Sequence, residues 1–523
     1  VIAMKNHLIM RSLPMVASVL GRKYGVKVII GGRGAYTDGS TIHLPALPLE
    51  SSETLIGLAR GYIDHEAAHI RETRFDWLCL ANLTQLEMHV WNTFEDWRVE
   101  HRLAHLFPGC RQNFNWLIKH IFGNPSEKTT DPAMAILNWL LLSVRAWDVP
   151  SLNGQRDEVG SLVECYYPGL TTHLNSVLKK VNAYCDSTQD CILYAREVVS
   201  ILKDKAAILP PQNGPASKGK AMGNSPPGHI PSEALKRLIK TDGTDLPDNM
   251  GEALADNIIK ETPKDLSEAL HVARLGTKST KPIAPEDAAV AKRASTALQT
   301  QLQGLLQSSV LTRTKVGRHG RLDARQLHRL SVADARVFKR NGERVGINTA
   351  VHILLDCSGS MRRRIQLTTQ ICHAVATALD TIDGINVGVT AFPAGKPADG
   401  SDRTEHPTVC PILNHGDRVH DGFAVSATGG TPLAGAFWWV LQQMLPLTES
   451  RKIVLILTDG DPDSFNVALD AIEDSRRFGV EVYGLGILSE SIKKLLPDHS
   501  RTINDLSELA PAMFGMLRGA LLK

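Results

Sequence analysis

Ala350-Val351-His352-Ile353-Leu354-Leu355-Asp356-Cys357-Ser358-Gly359-Ser360-Met361 decides the reading of the C-terminal part of this chain. The apolar run Val351 to Leu355 has the continuous hydrophobicity of a strand buried on both faces, as in a parallel sheet. It stops at Asp356, Ser358 and Ser360, which place alternating oxygen-bearing side chains at the carboxyl end of the strand. That edge of an open α/β sheet is where ligands bind. One carboxylate and two hydroxyls on a tight turn suit a hard divalent cation, and Mg²⁺ is the expected ion.

Two later segments fit the same site. Gly429-Gly430-Thr431-Pro432-Leu433 offers a further hydroxyl, and Val454 to Leu457 form a second apolar strand that ends in Thr458-Asp459-Gly460. A Ser/Gly turn that merely caps a helix explains the first segment alone, but not all three in this order. Together they resemble the metal-ion-dependent adhesion site (MIDAS) of von Willebrand factor A (VWA) domains. The resemblance implies Asp356, Ser358, Ser360, Thr431 and Asp459 as the metal-site residues, with Asp459 acting through water. Strands are expected at 351–355, 386–392, 452–457 and 480–487. Helices lie between them, including Leu433 to Leu445, with a last one from Leu506 to Leu522. The alternation gives an α/β, doubly wound sheet. Arg362-Arg363-Arg364 after the metal turn read either as a solvated helix start or as a clamp for an acidic partner.

The chain has 523 residues, enough for about two to four domains, and its 43% hydrophobic and 22% charged residues are ordinary for a globular protein. A net charge of +3 gives no case for nucleic acid or an acidic membrane. No apolar run approaches the roughly 20 residues that span a bilayer. Met4-Lys5-Asn6-His7 leads into mixed residues without a signal-peptide pattern. Eight cysteines without a CxxC pair form neither a disulfide framework nor a zinc ribbon. A reducing, cytoplasmic setting is therefore expected.

A second chemistry lies near the N-terminus. Val26 to Ile30 and Ala35 to Pro45 read as strands, with Asp38-Gly39 as a hairpin signal. A helix from about Ser52 carries Asp64-His65-Glu66-Ala67-Ala68-His69. His65 and His69 fall on one helical face with Glu66 beside them, the HExxH arrangement of two zinc-binding imidazoles and a general base. The next helix, expected from Leu80 to Leu106, carries Glu95. This glutamate is expected as the third zinc ligand rather than Asp96, because Asn92 and Glu95 lie one turn apart. Asn92, Asp96 and Arg98 then become supporting residues, and Asp96 and Glu100 either hold Arg98 or orient a histidine. His101 and His105 read as a solvated helix face. The arrangement resembles gluzincin-type zinc metallopeptidases. That likeness implies that residues 40–44 bind an extended peptide by edge pairing.

Residues 111–203 read as helical core, with Trp116 and Trp139 inside it. Residues 204–232 are a Pro/Gly/Ser-rich linker, and 233–345 are a helical and irregular connection with a helix from Pro285 to about Ser308. The domains expected are thus a mainly helical α+β zincin-like unit at 1–203 and a VWA unit at 346–523. The segment 317–361 resembles the C-terminal half of the cobaltochelatase subunit CobT and its wider relatives, and Glu95-Asp96-Trp97-Arg98-Val99-Glu100 resembles a short motif in their N-terminal part. The intact HExxH favours the wider VWA proteins of that group over the chelatase subunit itself. These resemblances imply an adaptor that docks through its MIDAS onto a MoxR- or CobS-type AAA+ ATPase ring and carries a zinc peptidase-like head for a protein or peptide client. The alternatives are a cobalt or magnesium chelatase subunit and a non-catalytic assembly factor with structural zinc.

Overall fold

The structure, a computed structural model, describes residues 13–48, 52–123, 131–208, 231–241, 246–247, 249–264, 269–310, 315–317, 321–322, 338–340, 348–400 and 406–521. Most of the linker read at 204–232 lies outside the described residues. Its ends are helical, because the helix Thr188–Ile208 runs past the expected boundary and the next helix already begins at Pro231.

The N-terminal half is mostly helical. A small sheet, β1 (Lys27–Ile30), β2 (Tyr36–Thr37) and β3 (Thr41–Leu44), precedes the HExxH helix Glu53–Glu72. Ser52 caps that helix by accepting from Leu55 N at 3.0 Å, which satisfies one of the free N–H groups of its first turn. The helix expected from Leu80 to Leu106 is instead two, Phe75–Ala81 and Gln85–Leu106. Asn82 adopts a left-handed conformation (φ 46°), and Thr84 with Glu87 forms a capping box that restarts the chain. Trp139 is buried, but Trp116 is 39% exposed and rests over Gly57.

β3 is not a free edge. It pairs with β1 in parallel and, through Tyr36 and Thr37, with β2 in antiparallel. The edge-pairing role expected for residues 40–44 is therefore excluded, because both sides of that strand are taken.

Among the described residues the C-terminal sheet has seven strands. β4 is Arg274–Leu275, β8 Thr349–Asp356, β9 Ile385–Phe392, β10 Thr408–Leu413, β11 Arg451–Thr458, β12 Val480–Ile487 and β13 Ser500–Ile503. Their order is β13-β12-β11-β8-β9-β10-β4. The ladders from β13 to β9 are parallel, β10 runs antiparallel to β9, and β4 runs parallel to β10. Three further strands, β5 (Lys315–Gly317), β6 (Arg321–Leu322) and β7 (Phe338–Arg340), form a separate antiparallel sheet. Residues 318–320, between β5 and β6, lie outside the described residues.

All eight residues of β8 are buried, which explains its uninterrupted apolar run. Val351, Ile353 and Leu355 join one core, packed with the helices Pro285–Val310, Ile365–Asp380 and Leu509–Leu521. Ala350 and Leu354 join the other, with Leu433–Met444 and Phe465–Arg477. This second core is continuous with the N-terminal half through the helix Leu13–Tyr24. Arg22 Nη2 donates to Gln442 O at 2.6 Å across that junction, and Gln442 Nε2 donates to Pro14 O at 3.1 Å. Residues 269–283 run between the halves: Leu270 pairs with Leu47, Val272 N donates to Ile30 O, and β4 then closes the sheet beside β10. Among the described residues no helix is long and apolar enough to cross a membrane.

Candidate metal centres

At the carboxyl end of β8 the chain turns through Asp356-Cys357-Ser358-Gly359-Ser360. Ser358 N donates to Asp356 Oδ1 at 2.8 Å, and Thr458 Oγ1, at the end of the neighbouring β11, donates to Asp356 Oδ2 at 2.6 Å. Ser358 and Ser360 hydroxyls lie 2.9 Å apart, and Ser360 Oγ donates to Asp459 Oδ1 at 2.7 Å. Gly359 N donates to Gly429 O at 2.8 Å, drawing in the loop of Thr431. Asp463 Oδ1 accepts from Thr431 N at 2.6 Å and fixes that loop from outside. The five residues expected at this site therefore come together from three segments.

Burial pushes the Asp356 carboxyl up to about 6, with the nearby Asp459 adding to the rise. Two carboxylates and three hydroxyls at one buried sheet edge fit a hard divalent cation, which would stabilise both charges. Arg364 Nη1 already stands 3.0 Å from Asp459 Oδ2. Of the Arg362–Arg364 run, this residue at least turns toward the site. A cavity of about 370 Å³ opens beside the Gly429–Gly430 loop, bounded by Asp463, His406, His271 and Ala269.

The second centre lies between the HExxH helix and the helix Gln85–Leu106. His65, His69 and Asp96 are all buried, and one ligand atom from each lies within 4.8 Å of the others. His69 Nε2 is 3.1 Å from Asp96 Oδ1. The other ring nitrogens are held from behind: His65 Nδ1 lies 2.9 Å from Glu100 Oε1, and His69 Nδ1 lies 3.0 Å from the Thr73 hydroxyl. Such outer partners fix the tautomer and ring direction of metal-binding imidazoles. Two imidazoles and a carboxylate so held fit zinc, with room in its usual four-ligand set for one non-protein ligand.

Glu95 is not among them. Its carboxylate pairs with Arg98, at 2.6 Å from Nη2 and 3.0 Å from Nε. The hydroxyls of Thr73 and Thr188 donate to it, each at 2.9 Å. On a helix, neighbouring residues diverge by about 100°, and it is Asp96 that faces His69. The third-ligand role expected of Glu95 therefore passes to Asp96. Arg98 serves Glu95 and the backbone of Glu72, while Asn92 reaches Asp96 only at 3.5 Å.

Sequence reasoning missed Arg145. Its guanidinium is 1% exposed and joins Glu100 Oε2 at 2.6 Å to Asp96 Oδ2 at 3.2 Å. The only signal was a lone arginine closing the otherwise uncharged helix Pro132–Arg145. Burial opposes the charge on His65, yet Glu100, Asp96 and Glu66 outweigh it and raise its pKa to about 9. Burial likewise opposes charge on Asp96, but His69, His65 and Arg145 hold its pKa below the ordinary carboxylate value.

Residues 350–510 match the von Willebrand factor type A domain family. No curated protein matches the chain. Among solved structures, it is similar to manganese-loaded TRAP protein from Plasmodium vivax, with 15% identity over 32% of this chain and 72% of that one (TM-score 0.25). It is also similar to a von Willebrand factor type A protein from Catenulispora acidiphila, with 21% identity over 34% of this chain and 43% of that one (TM-score 0.26). A third is proximal thread matrix protein 1 from the mussel byssus with a zinc-occupied MIDAS motif, with 17% identity over 34% and 46% of the two chains (TM-score 0.28). The chain thus spans less than half of the latter two.

Proposed function

Starting from the VWA domain at residues 350–510, we propose that this protein is a metal-dependent docking adaptor carrying a zinc hydrolase head. The docking partner is a MoxR- or CobS-type AAA+ ATPase, and the client is a protein or peptide. The partner assignment rests on the resemblance of segment 317–361 to CobT and its relatives. The metal of the MIDAS is Mg²⁺, and a partner's Asp or Glu completes its shell, so affinity depends on the ion and on one acidic side chain.

The observation that carries the head's assignment is the convergence of His65, His69 and Asp96 beside Glu66. His65, His69 and Asp96 would hold the zinc, which would supply Lewis acidity. Glu66 takes a water's proton and returns it to the leaving group. Glu100 and Thr73 hold the two imidazoles in register, and Arg145 balances the carboxylates of Asp96 and Glu100.

One observation favours a second reading, a structural metal centre in a non-catalytic assembly factor: Glu66 and His69 are each only 9% exposed. Elemental analysis of the full chain beside His65→Ala and Asp96→Asn, followed by a hydrolysis assay with Glu66→Gln as control, separates the two. Zinc lost in both variants, with hydrolysis lost in Glu66→Gln, supports the hydrolase. Zinc that is bound without hydrolysis under any loading supports the structural centre. Docking is tested by ATPase capture with and without Mg²⁺, against Asp356→Ala. Capture that ignores both rejects the adaptor.

A further inference from the structure

The HExxH face is covered by the chain's own helix Met250–Lys260. That helix begins with a capping box, Asn249 with Glu252, and drives Met250, Leu254 and Ile258 into the core that contains Leu55, Tyr62 and Ile63 of the HExxH helix. Spacing of i, i+4, i+8 makes these three one apolar stripe, and each is at most 1% exposed. Its first turn reaches the chemistry itself. A side-chain carbon added at Gly251 would lie 3.3 Å from His65 Nε2 and 3.3 Å from Glu66 Oε1. Glycine is what permits the backbone to approach the base and the imidazole this closely. His65 Nε2 is also the nitrogen that Glu100 leaves for a metal, since Glu100 engages Nδ1.

We propose that the helix Met250–Lys260 is a built-in cover that keeps this head latent, and that the face beneath it takes a polypeptide once the helix is displaced. The reading rests on the hydrolase assignment above. A hydrolytic base must meet its substrate, yet here the backbone of Gly251 lies against Glu66 and the imidazole beside it. The surface that receives the helix is an apolar groove already occupied by polypeptide, so its complementary ligand is a peptide segment with apolar side chains. The cover is also tethered. Downstream of it, residues 269–271 pair with the head at Leu47, border the cavity beside the MIDAS loop, and lead into β4 of the VWA sheet. Movement at the docking site therefore has a short covalent route to the cover.

The test uses the full chain and a probe that needs no metal. In metal-free protein at about pH 9, where a substantial share of His65 is neutral, carbethoxylation of His65 and His69 by diethyl pyrocarbonate is followed by peptide mass spectrometry. Leu254→Asp/Ile258→Asp places two charges in the apolar groove and undocks the helix, as amide exchange over 250–260 reports. Gly251→Tyr forces the first turn outward while keeping the apolar stripe, and serves where the double variant does not fold. Modification about tenfold faster or more in an undocked variant supports the cover. Wild-type rates in a variant with the helix undocked overturn it. Zinc-loaded variants are then assayed on casein. Faster modification with no hydrolysis leaves the cover standing and rejects the hydrolase assignment instead.

Discussion

Arg145 Nη1 lies 2.6 Å from Glu100 Oε2 inside the N-terminal half, and neither side chain has meaningful contact with water. The guanidinium belongs to a helix with no metal-binding residue, yet it sets the charge balance of the whole centre. Arg145→Met leaves Asp96 and Glu100 without their common counter-ion. It is expected to cost about 3–5 kcal/mol of unfolding free energy in metal-free protein, measured by urea titration. Zinc should recover part of that loss, because the ion replaces the missing positive charge. A cost below about 1 kcal/mol would show that the two carboxylates are balanced elsewhere.

The adjacent carboxylates Glu95 and Asp96 should behave oppositely. Asp96→Asn is expected to lose zinc while keeping the fold. Glu95→Gln is expected to keep zinc but lower stability by about 3 kcal/mol, because Arg98 remains buried without its charge partner. Zinc content and urea midpoints of the two variants decide this, and zinc lost only from Glu95→Gln would reverse the ligand assignment.

Metal binding at the MIDAS should weaken in mild acid. Asp356 titrates at about 6 in the folded metal-free chain, above its ordinary value of 3.8. A raised carboxyl stabilises the fold at low pH and loses that contribution as pH rises through about 6. A divalent cation needs the deprotonated form. The rise in melting temperature produced by Mg²⁺ should therefore be large at pH 7.5 and fade below about 6. It should be absent in Asp356→Ala at every pH.

The VWA sheet carries its own acid sensitivity. His352 Nδ1 and His415 Nε2 lie 3.0 Å apart, and His352 Nε2 lies 2.9 Å from the Thr390 hydroxyl. Burial holds His415 down to about 4 and His352 well below its ordinary value. The unfolded chain takes up these protons near pH 6.5, so stability is full above that and falls as pH drops toward 4. In metal-free protein, His415→Gln should flatten the slope of unfolding free energy against pH across this window. An unchanged slope would assign the acid sensitivity to other groups.

Local sequence carried the VWA unit well. The continuous apolar runs of β8 and β11 are long, and each ends in the residues that form the site, so strand and site are legible together. β10 was missed because Pro411 interrupts its pattern, and a proline in a strand reads as an edge or a loop. β4 was missed because two residues, Arg274 and Leu275, carry no period at all. The zinc-like centre was legible where spacing along one helix sets it, at His65 and His69. It was not legible where two helices must meet, since nothing local tells which of Glu95 and Asp96 faces its neighbour. Arg145 and Gly251 act through contacts with helices distant in sequence, and single-chain periodicity is blind to such contacts.

Because β4 lies far upstream of β8 yet forms the sheet's last strand beside β10, the C-terminal unit does not begin where its family match begins. During synthesis Arg274 and Leu275 leave the ribosome long before Thr408–Leu413, and this ladder closes only when both are available. Such distant pairing forms late in folding. A fragment cut at residue 350 would unpair Thr408 and Val409 at the outer edge of β10, enlarging an open template for strand addition between copies. The VWA sheet therefore draws on Arg274 and Leu275 from outside the family-matched segment, and an excision at residue 350 removes a strand of the sheet along with them.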